Sequence, residues 1–437
     1  MLGLLREAGF AIVTDPGQAD LLIVNTCCFI GAAREESAGA LAEAAEFRRS
    51  GSAQALVCAG CWPELDAAAL RQQFPEIDAV MGPGDVAKVV EIANQALAGH
   101  AAERPVSLSP PSYLYHEAVP RLRATPPWTA YIKIAEGCDH RCRFCIIPRL
   151  RGRYRSRTTG SIVEEARSLA REGVREITLI AQDTTAYGKD RAGPDIADLL
   201  SALASVEGLH WIRLLYTFPS RITSRLIEVM ATGDRICKYI DVPFQHADRE
   251  ALRRMGRPGD GGAFLKLIER LRSAMPDIAI RTTFLVGFPG ETEAAFARLL
   301  EFLDAAQLDR AGAFTYSAEA GTPAADMPDQ VPSEVAQERY HQLMARQQAI
   351  SLGRNQRWIG REIEVLIESQ RAVSRERGRS GRTAATVWVG RSFRDAPEID
   401  GSVIARATRQ NLRPGRFVRA QVTEAQPYDL VAEIIPG

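Results

Sequence analysis

Three cysteines form the tightest group of potentially reactive side chains in this 437-residue chain. Cys138, Cys142 and Cys145 have the spacing C-x3-C-x2-C and directly follow an apolar run at residues 131–135. Close-set thiolates of this kind suit a 4Fe–4S cluster, because one loop can wrap a corner of the cluster and bind three of its irons. The fourth iron then stays open. An open iron can bind the amino and carboxylate groups of S-adenosylmethionine and pass one electron to its sulfonium.

Zinc binding is the competing interpretation of the same thiols. Structural zinc takes four ligands, and His140, the nearby candidate for the fourth, lies between the thiols, where it would be strained as a ligand. The surrounding segment 121–157 carries ten Lys or Arg against two acidic residues, a net charge of +8. Fixed positive charge favours an anionic cluster and a carboxylate ligand, although a solvated basic loop would have the same composition. We therefore predict an iron–sulfur cluster at this loop.

Four more cysteines lie near the N-terminus, at the ends of two predicted strands. The apolar runs at residues 21–24 and 55–61 predict short buried strands. The thiols at their ends are those of Cys27, Cys28, Cys58 and Cys61. Ligands gather at the carboxyl ends of strands in open α/β sheets, so these thiols are candidate metal ligands. A small buried apolar side chain is the competing interpretation for Cys28 and Cys58, and the favoured one for Cys237.

Composition places the chain among ordinary globular proteins. It has 54 basic and 54 acidic side chains, 46% hydrophobic residues, and 34 Gly with 24 Pro. A formal net charge of zero argues against a protein that coats nucleic acid through bulk electrostatics. No apolar run reaches the roughly 18 residues that a membrane span needs, and residues 1–10 lack the pattern of a signal peptide. We therefore expect the reducing cytoplasm, where clustered thiols more often bind metal than form disulfides.

The hydrophobic pattern predicts a multidomain α/β protein. Residues 1–100 predict a small open α/β domain that carries the N-terminal cysteines, and the Pro-rich segment 101–128 predicts a linker. A capping box at residues 161–164 predicts the start of a helix. Six parallel strands with intervening helices would form a partial barrel whose ligand-binding loops follow the carboxyl ends of the strands. Residues 129–357 predict such units, with strands at 131–135, 176–181, 211–216, 238–242, 278–286 and 310–316.

The C-terminal region, residues 358–437, has a different pattern. Its short alternating runs, separated by Gly and Pro, lie at 363–367, 386–389, 403–407 and 417–422. This pattern predicts a small antiparallel β-barrel. Residues 361–437 carry 13 Arg against 10 acidic side chains, a net charge of only +3. Such a modest charge favours a partner recognised by its shape over one coated with phosphates.

Several further segments narrow the family. The cluster motif at residues 137–145 continues as Ile146-Ile147-Pro148, and characteristic segments follow at 181–188, 239–248, 281–292 and 314–317. Together with the cysteine-bearing N-terminal domain and the C-terminal barrel, they make the chain resemble the methylthiotransferases of the radical S-adenosylmethionine superfamily. The resemblance covers nearly the whole chain, and it implies that the C-terminal barrel is TRAM-like.

Two branches of that family differ in substrate. One modifies adenosine in transfer RNA, and the other modifies an aspartate of small-subunit ribosomal protein S-twelve. The chain resembles the ribosomal-protein branch at residues 25–30, at 245–247, and at 395–401 with 428–430. The tRNA branch typically has Gln-Ser-Gly at the second place and lacks the third. Methylthiolation of tRNA adenosine stays open as an alternative, and so does a catalytically impaired relative that binds ribosomes or RNA.

The resemblance implies a second, auxiliary 4Fe–4S cluster near the N-terminus. Of its three expected ligands, Cys27 and Cys61 align, whereas the third, on a strand that the family places earlier, has no counterpart. The chain starts inside what resembles the first helix of the family, so we expect a start that is truncated or mis-assigned. The alternative is that Cys28 or Cys58 completes the auxiliary cluster. In either case the missing edge strand is expected to expose apolar surface and weaken the domain.

The resemblance also implies a reaction. S-adenosylmethionine at the first cluster yields methionine and a 5′-deoxyadenosyl radical, which takes a hydrogen atom from the β-carbon of the target aspartate. The carbon radical then takes sulfur from the auxiliary cluster, and a second S-adenosylmethionine supplies the methyl group. No catalytic side chain beyond the cluster ligands is expected, because an unactivated C–H bond offers no acidic proton to a base. The expected partners are ribosomal protein S-twelve, the small ribosomal subunit and an external electron donor, without a membrane.

Four residues are expected to line the S-adenosylmethionine pocket, namely Gln182, Asp183, Gly287 and Glu291. Gln182 and Asp183 end one predicted strand and His246 ends another, so these three side chains could contact cofactor or substrate. A glycine such as Gly287 lets the backbone approach a ligand closely. Core hydrogen bonding is an equal alternative for Gln182, Asp183 and His246, and a plain βα turn is one for residues 287–291.

Overall fold

The chain forms two compact units in a computed structural model that describes residues 1–99, 104–371, 386–407 and 412–435. Residues 1–124, 135–157 and 317–327 form the first unit, and residues 125–134, 158–316 and 328–437 form the second. The cluster loop thus groups with the N-terminal region, although it follows the first predicted strand of the partial barrel in the sequence. Within the described ranges, no helix combines the length and the apolar character that crossing a bilayer requires.

The first unit is built on a four-stranded parallel sheet with the order β1-β2-β3-β4. Its elements are α1 (Leu2–Glu7), β1 (Leu21–Thr26), α2 (Gly31–Arg49), β2 (Ala55–Gly60), α3 (Cys61–Gln73), β3 (Ala79–Met81), α4 (Val89–Leu97) and β4 (Val106–Ser107). Leu21 and Ile23 pack with residues of α1 and α4, whereas Leu22 and Val24 pack with residues of α2 and α3. Both faces of the sheet are therefore covered, as a parallel sheet requires. The predicted open α/β class is confirmed, but β4 lies in the segment that was predicted to be a linker.

The chain then passes through the elements that surround the cluster loop. They are β5 (Thr129–Lys133), β6 (Ala135–Glu136), α5 (Ile147–Arg151) and β7 (Arg155–Ser156). Strand β5 pairs with strands of the second unit. Strands β6 and β7 form a short antiparallel pair in the first unit, and the loop with the three cysteines lies between them in the chain.

The second unit contains two three-stranded parallel sheets, β5-β8-β9 and β10-β11-β12. A parallel bridge between Ile212 and Ile236 connects the last strand of the first sheet to the segment before β10. The six predicted strands of the partial barrel are thus confirmed to within a few residues. The elements are α6 (Thr159–Arg171), β8 (Glu176–Ile180), α7 (Ile196–Ala204), β9 (Trp211–Leu214), α8 (Ser224–Thr232), β10 (Tyr239–Asp241), α9 (Arg249–Arg254), α10 (Gly261–Ala274), β11 (Ala279–Val286), α11 (Glu293–Ala306), β12 (Arg310–Thr315) and α12 (Ser333–Gln356).

The start of α6 differs from the prediction. The capping box predicted at residues 161–164 places the N-cap at Ser161, but the helix begins three residues earlier, at Thr159 with Thr158 as its N-cap. Thr158 precedes it in an extended conformation, and its hydroxyl oxygen accepts a hydrogen bond from the Ser161 amide at 3.2 Å. Threonine is a good N-cap residue, so Thr158 takes the cap and leaves Ser161 inside the first turn.

The C-terminal part of the second unit is a closed five-stranded barrel. Its strands are β13 (Glu362–Arg371), β14 (Thr386–Arg391), β15 (Val403–Ala407), β16 (Phe417–Ala425) and β17 (Leu430–Ile434). They follow the order β13-β14-β15-β17-β16, and β13 closes the barrel on β16. The predicted all-antiparallel arrangement is wrong in one place, because β15 and β17 run parallel. The fifth strand, β17, returns to the gap beside β15 and removes the exposed edges that an open sheet would have.

Candidate iron–sulfur and cofactor sites

The cluster loop is closed at its base by backbone contacts. The Cys138 amide donates to the Gly152 carbonyl at 3.1 Å, and the Tyr154 amide donates to a carboxylate oxygen of Asp139 at 3.1 Å. Gly137 has φ +82°, and a Cβ at this position would lie 2.2 Å from the Arg153 carbonyl oxygen. Only glycine combines this left-handed backbone with so close an approach. The two ends of the cluster loop, residues 137–139 and 152–154, are therefore in direct contact where the loop joins β6 and β7.

The three predicted ligands lie on this loop. Cys138 is buried and Cys142 and Cys145 are partly buried, and a turn brings the Cys145 amide to the Cys142 carbonyl at 3.1 Å. Across the described parts of the chain, no three His, Cys, Asp or Glu side chains are already arranged to hold a metal ion. The donor set is three thiols on one short loop in a basic segment, and soft thiolates are the usual ligands of iron–sulfur clusters. These residues fit a 4Fe–4S cluster.

The structure brings a second group of thiols together in the first unit. Thr26 of β1 pairs with Gly60 of β2, so Cys27 and Cys61 follow their strands at the same sheet edge. Ser37 of α2 holds the Cys27 backbone, because its hydroxyl accepts from the Cys27 amide at 2.9 Å and donates to its carbonyl at 3.0 Å. Burial raises the pKa of the Cys28 thiol to about 12, and the nearby Cys61 and Cys27 add to the rise.

The two proposed substitute ligands have different surroundings. For Cys28, the thiols of Cys61 and Cys27 both add to the rise of its pKa that burial causes. For Cys58, burial raises the thiol pKa to about 12, and the hydroxyl of Thr26, 3.8 Å from its sulfur, acts in the opposite direction. Both side chains are completely buried in the same apolar cluster. Cys28 directly follows Cys27 in the chain, and both candidates pack in the same apolar cluster as Cys61.

Sequence reasoning missed a guanidinium in this group. Nη2 of Arg151 in α5 donates to the Cys61 sulfur at 3.2 Å, and Nη1 lies 3.7 Å from a carboxylate oxygen of Glu136 in β6. Burial raises the pKa of the Cys61 thiol, and Arg151 acts in the opposite direction. The basic segment 121–157 was the available signal, but its composition did not distinguish Arg151 from its neighbours.

The predicted pocket residues Gln182 and Asp183 follow β8 in the second unit. Both carboxylate oxygens of Asp183 are engaged: one pairs with Arg221 at 2.8 Å, and the other accepts from the Ala186 amide at 3.2 Å. Asp183 thereby caps the 3₁₀ helix at Thr184–Ala186. The side-chain oxygen of Gln182 is buried and has no hydrogen-bond partner among the described residues. A buried acceptor without a partner is costly, so Gln182 fits a ligand contact better than Asp183 does.

The other predicted pocket residues follow β11 and β10. One carboxylate oxygen of Glu291 accepts from the amides of Gly287 and Phe288, and Arg339 lies 3.3 Å from the other. Gly287 has φ +73°, and a Cβ there would lie 2.3 Å from the Ala336 side chain of α12. The tight turn and the close packing against α12 therefore explain why position 287 is a glycine. His246 is completely buried, and its Nδ1 accepts from two backbone amides.

Two residues at the same edge of the second unit, one of them Gln245 of the branch marker at 245–247, have backbone conformations that were not predicted. Tyr216 follows β9 with φ +58° and is 41% exposed, and Gln245 follows β10 with φ +73°. The Tyr216 amide donates to Asp241 at 2.9 Å, and its carbonyl accepts from the Thr184 amide at 2.9 Å. Such conformations are uncommon outside glycine and occur often at functional sites. No composition or spacing signal marks them, because backbone dihedrals depend on the tertiary contacts.

The segment 395–401, one of the three branch markers, lies in the second unit, with Asp395 and Ala396 buried and Glu398 and Ile399 exposed. Asp395 pairs with Arg310 at 2.9 Å, and Asp400 accepts from the Tyr239 hydroxyl at 2.6 Å. Close by, Arg391 of β14 pairs with Glu176 of β8 at 2.6 Å. Asp395 and Asp400 thus belong to an internal network of paired charges, whereas Ile399 between them is 40% exposed. Cys237 is buried in the same unit, as its interpretation as a small apolar side chain expects.

Three family profiles match successive parts of the chain. The radical SAM superfamily matches residues 132–303, the TRAM domain matches residues 359–435, and an uncharacterized protein family, UPF0004, matches residues 1–82. The TRAM match covers the closed barrel. The radical SAM match begins in β5 and includes the cluster loop.

Curated relatives match the chain over almost its whole length. Ribosomal protein uS12 methylthiotransferase RimO of Desulforamulus reducens is 48% identical over 435 residues, which are 99% of this chain and 95% of the relative. The protein of the same name from Desulforudis audaxviator is 49% identical and covers 100% of this chain and 93% of the relative.

Among solved structures, similarity extends to the fold alone. A radical S-adenosylmethionine methyltransferase, TsrM, from Kitasatospora setae, with tryptophan substrate and an S-adenosylmethionine analogue bound, has a TM-score of 0.52 at 18% identity. The match covers 74% of this chain and 66% of that chain.

Proposed function

Because the chain belongs to the family of ribosomal protein uS12 methylthiotransferases, we propose that it transfers a methylthio group to the β-carbon of an aspartate in ribosomal protein uS12. The observation that carries the proposal is 48% identity to a relative of that name over 435 residues, through all three regions of the chain. The enzyme class is that of the radical SAM methylthiotransferases.

The cluster and S-adenosylmethionine are the cofactors of this chemistry. Held by Cys138, Cys142 and Cys145, a 4Fe–4S cluster would supply the electron that splits the bound sulfonium. The contribution of the chain is to fix the loop: Gly137 allows the tight crossing, and the Gly152 carbonyl anchors the Cys138 amide. Such a closed base positions the thiols before the cluster assembles, which lowers the cost of ordering them.

For the cofactor pocket we propose different roles for the four predicted residues. Gln182 contacts S-adenosylmethionine, since its buried side-chain oxygen has an acceptor position to offer. Asp183 positions the loop after β8 through Arg221. Gly287 and Glu291 hold the turn after β11, in which the Glu291 carboxylate accepts two backbone hydrogen bonds. Gln182→Ala is therefore expected to raise the KM for S-adenosylmethionine more than it lowers kcat.

We propose an auxiliary 4Fe–4S cluster on Cys27 and Cys61, with Cys28 rather than Cys58 as the third thiol. Support comes from the shared sheet edge of Cys27 and Cys61, from the position of Cys28 directly after Cys27, and from the apolar cluster that Cys28 shares with Cys61. Iron counts on anaerobically purified protein test this site, because two complete clusters hold about eight irons and one holds about four. Replacing Cys28 by Ala should then lower the count, whereas Cys58→Ala should leave it unchanged.

The proposed setting is the cytoplasm, with uS12 in the small ribosomal subunit as substrate and an external protein as electron donor. The test is anaerobic reconstitution with uS12 and S-adenosylmethionine, followed by mass spectrometry of the target peptide. A methylthio group on the aspartate is expected, and the Cys142→Ala protein serves as the inactive control. An unmodified aspartate beside abundant 5′-deoxyadenosine would refute the substrate, and methylthiolated tRNA adenosine would favour the other branch.

A further inference from the structure

A single dipeptide of the first unit touches both cysteine groups. The carbonyl of Gly152 accepts from the amide of Cys138, the first cysteine of the cluster loop, at 3.1 Å. The side chain of the preceding residue, Arg151, donates to the sulfur of Cys61 at 3.2 Å. Arg151 and Gly152 therefore connect the loop of the first cluster to a proposed ligand of the auxiliary cluster.

The helix that carries Arg151 is held firmly against the N-terminal sheet domain. Ile146 and Leu150, at the start and within α5, are buried in the same apolar cluster as Cys28, Cys58 and Cys61. This packing leaves α5 little freedom to move relative to α3, which begins at Cys61. The Arg151 side chain is about one-quarter exposed. Its guanidinium contacts the Cys61 sulfur at the edge of this apolar cluster.

The two charged side chains near Cys61 belong to residues that precede and follow the cluster loop in the sequence. Arg151 lies after the loop, and Glu136, which pairs with it at 3.7 Å, lies before it. Glu136 also accepts from the Gly137 amide at 3.3 Å. The ion pair thus orients the guanidinium from the base of the loop. N–H groups that donate to ligand sulfurs, and positive charge beside them, raise the reduction potential of an iron–sulfur cluster.

We propose that Arg151 is a positioning residue of the auxiliary site. It holds the Cys61 sulfur toward the proposed cluster and ties that sulfur to the loop of the first cluster. The inference rests on the auxiliary cluster of the proposed function. The inference does not depend on which substrate the enzyme modifies, because the expected effects of Arg151 are on iron binding and on the reduction potential of the auxiliary cluster.

The experiment isolates the auxiliary cluster in a protein with Cys138, Cys142 and Cys145 replaced by Ala. Arg151→Gln is introduced into this parent, with Arg149→Gln as the matched control: Arg149 lies on the same helix and its guanidinium lies over Gly321. Iron per chain, the electron paramagnetic resonance signal and the midpoint potential are measured after anaerobic reconstitution. Thermal unfolding of the apo-proteins reports whether each variant is folded.

Arg151→Gln is expected to weaken iron retention against a chelator by about tenfold or more, as is typical for loss of a residue that supports a ligand. Its residual cluster should have a lower potential than that of the parent, and Arg149→Gln should match the parent in both. Arg151→Lys keeps the charge but not the planar fork, so it should restore the potential in part.

Two contrary outcomes are distinguishable. If the folded parent retains no iron, the auxiliary site itself is refuted and this inference falls with it. If the parent holds about four irons and Arg151→Gln matches it in retention, signal and potential, the role of Arg151 alone is refuted. The activity on uS12 is not needed for either conclusion.

Discussion

The crossing of the cluster loop at Gly137 offers the sharpest test of the site, through the substitution Gly137→Ala. The added Cβ would lie 2.2 Å from the Arg153 carbonyl oxygen and 2.7 Å from the Gly152 carbonyl oxygen, both of them backbone atoms. The positive φ costs a residue with a Cβ about 1–2 kcal/mol. Forcing the backbone apart costs about 1–3 kcal/mol more. The total cost is about 2–5 kcal/mol. We expect it to weaken the hydrogen bond that the Cys138 amide donates to the Gly152 carbonyl.

Gly9→Ala is the matched control for this prediction. Gly9 belongs to the same unit and has φ +93°, but a Cβ there would meet nothing within 4 Å. It therefore carries the backbone penalty without the steric one. Comparison of the two variants isolates the contact with Arg153.

Hydrogen exchange of the cluster-loop peptides, followed by mass spectrometry, is the assay. Each 1.4 kcal/mol of local destabilisation speeds exchange by about tenfold, so the Cys138 amide in Gly137→Ala should exchange at least about tenfold faster than in Gly9→Ala. Iron bound by the first cluster, measured with Cys27 and Cys61 replaced by Ala, should fall in parallel. Equal protection and equal iron in the two variants would refute the reasoning about the loop base.

Three further predictions concern the buried charges and the cluster. Arg391→Met removes a buried partner of Glu176 and should destabilise the second unit by about 3–5 kcal/mol in thermal unfolding, whereas Arg406→Met, in an exposed pair, should cost under about 1 kcal/mol. Burial alone would raise the pKa of Glu176, but Arg391 and Arg213 hold it below its ordinary value. The stability from this carboxylate is therefore present above about pH 4.3 and should be lost as the pH falls through the lower folded-state pKa; a melting temperature unchanged by acid would contradict it. Cys142→Ala should abolish 5′-deoxyadenosine formation and remove about four irons per chain, and retained cleavage would exclude the assigned cluster.

The strands and the first cluster could be predicted because their signals are local. Strands β8 and β9 are short segments rich in β-branched, aromatic and other apolar residues, and the cluster cysteines lie within eight residues of one another. The start of α6 was predicted wrongly, since two hydroxyl residues compete for the cap and the backbone before Thr159 decides between them. The parallel pairing of β15 with β17 was also missed, because strand direction in a closed barrel depends on where the chain returns.

Gly287 and Asp183, two residues predicted to line the cofactor pocket, make contacts with residues far away in the sequence. Gly287 was expected to make room for a ligand, yet the side chain closest to its missing Cβ is Ala336 of α12. Asp183 was a candidate for a cofactor contact, with core hydrogen bonding as the equal alternative, and the structure pairs it with Arg221. Neither partner is recognisable in the sequence, since each lies tens of residues away.

From the sequence alone came the βα alternation, the triplet of thiols and the family that these segments resemble, because periodicity and short spacings survive without any knowledge of the fold. Only the tertiary structure decided that Arg151 meets Cys61, that Asp395 pairs with Arg310, and that Thr158 rather than Ser161 caps α6. The physical reason is that contacts, burial and charge pairing act through space between residues far apart in the chain.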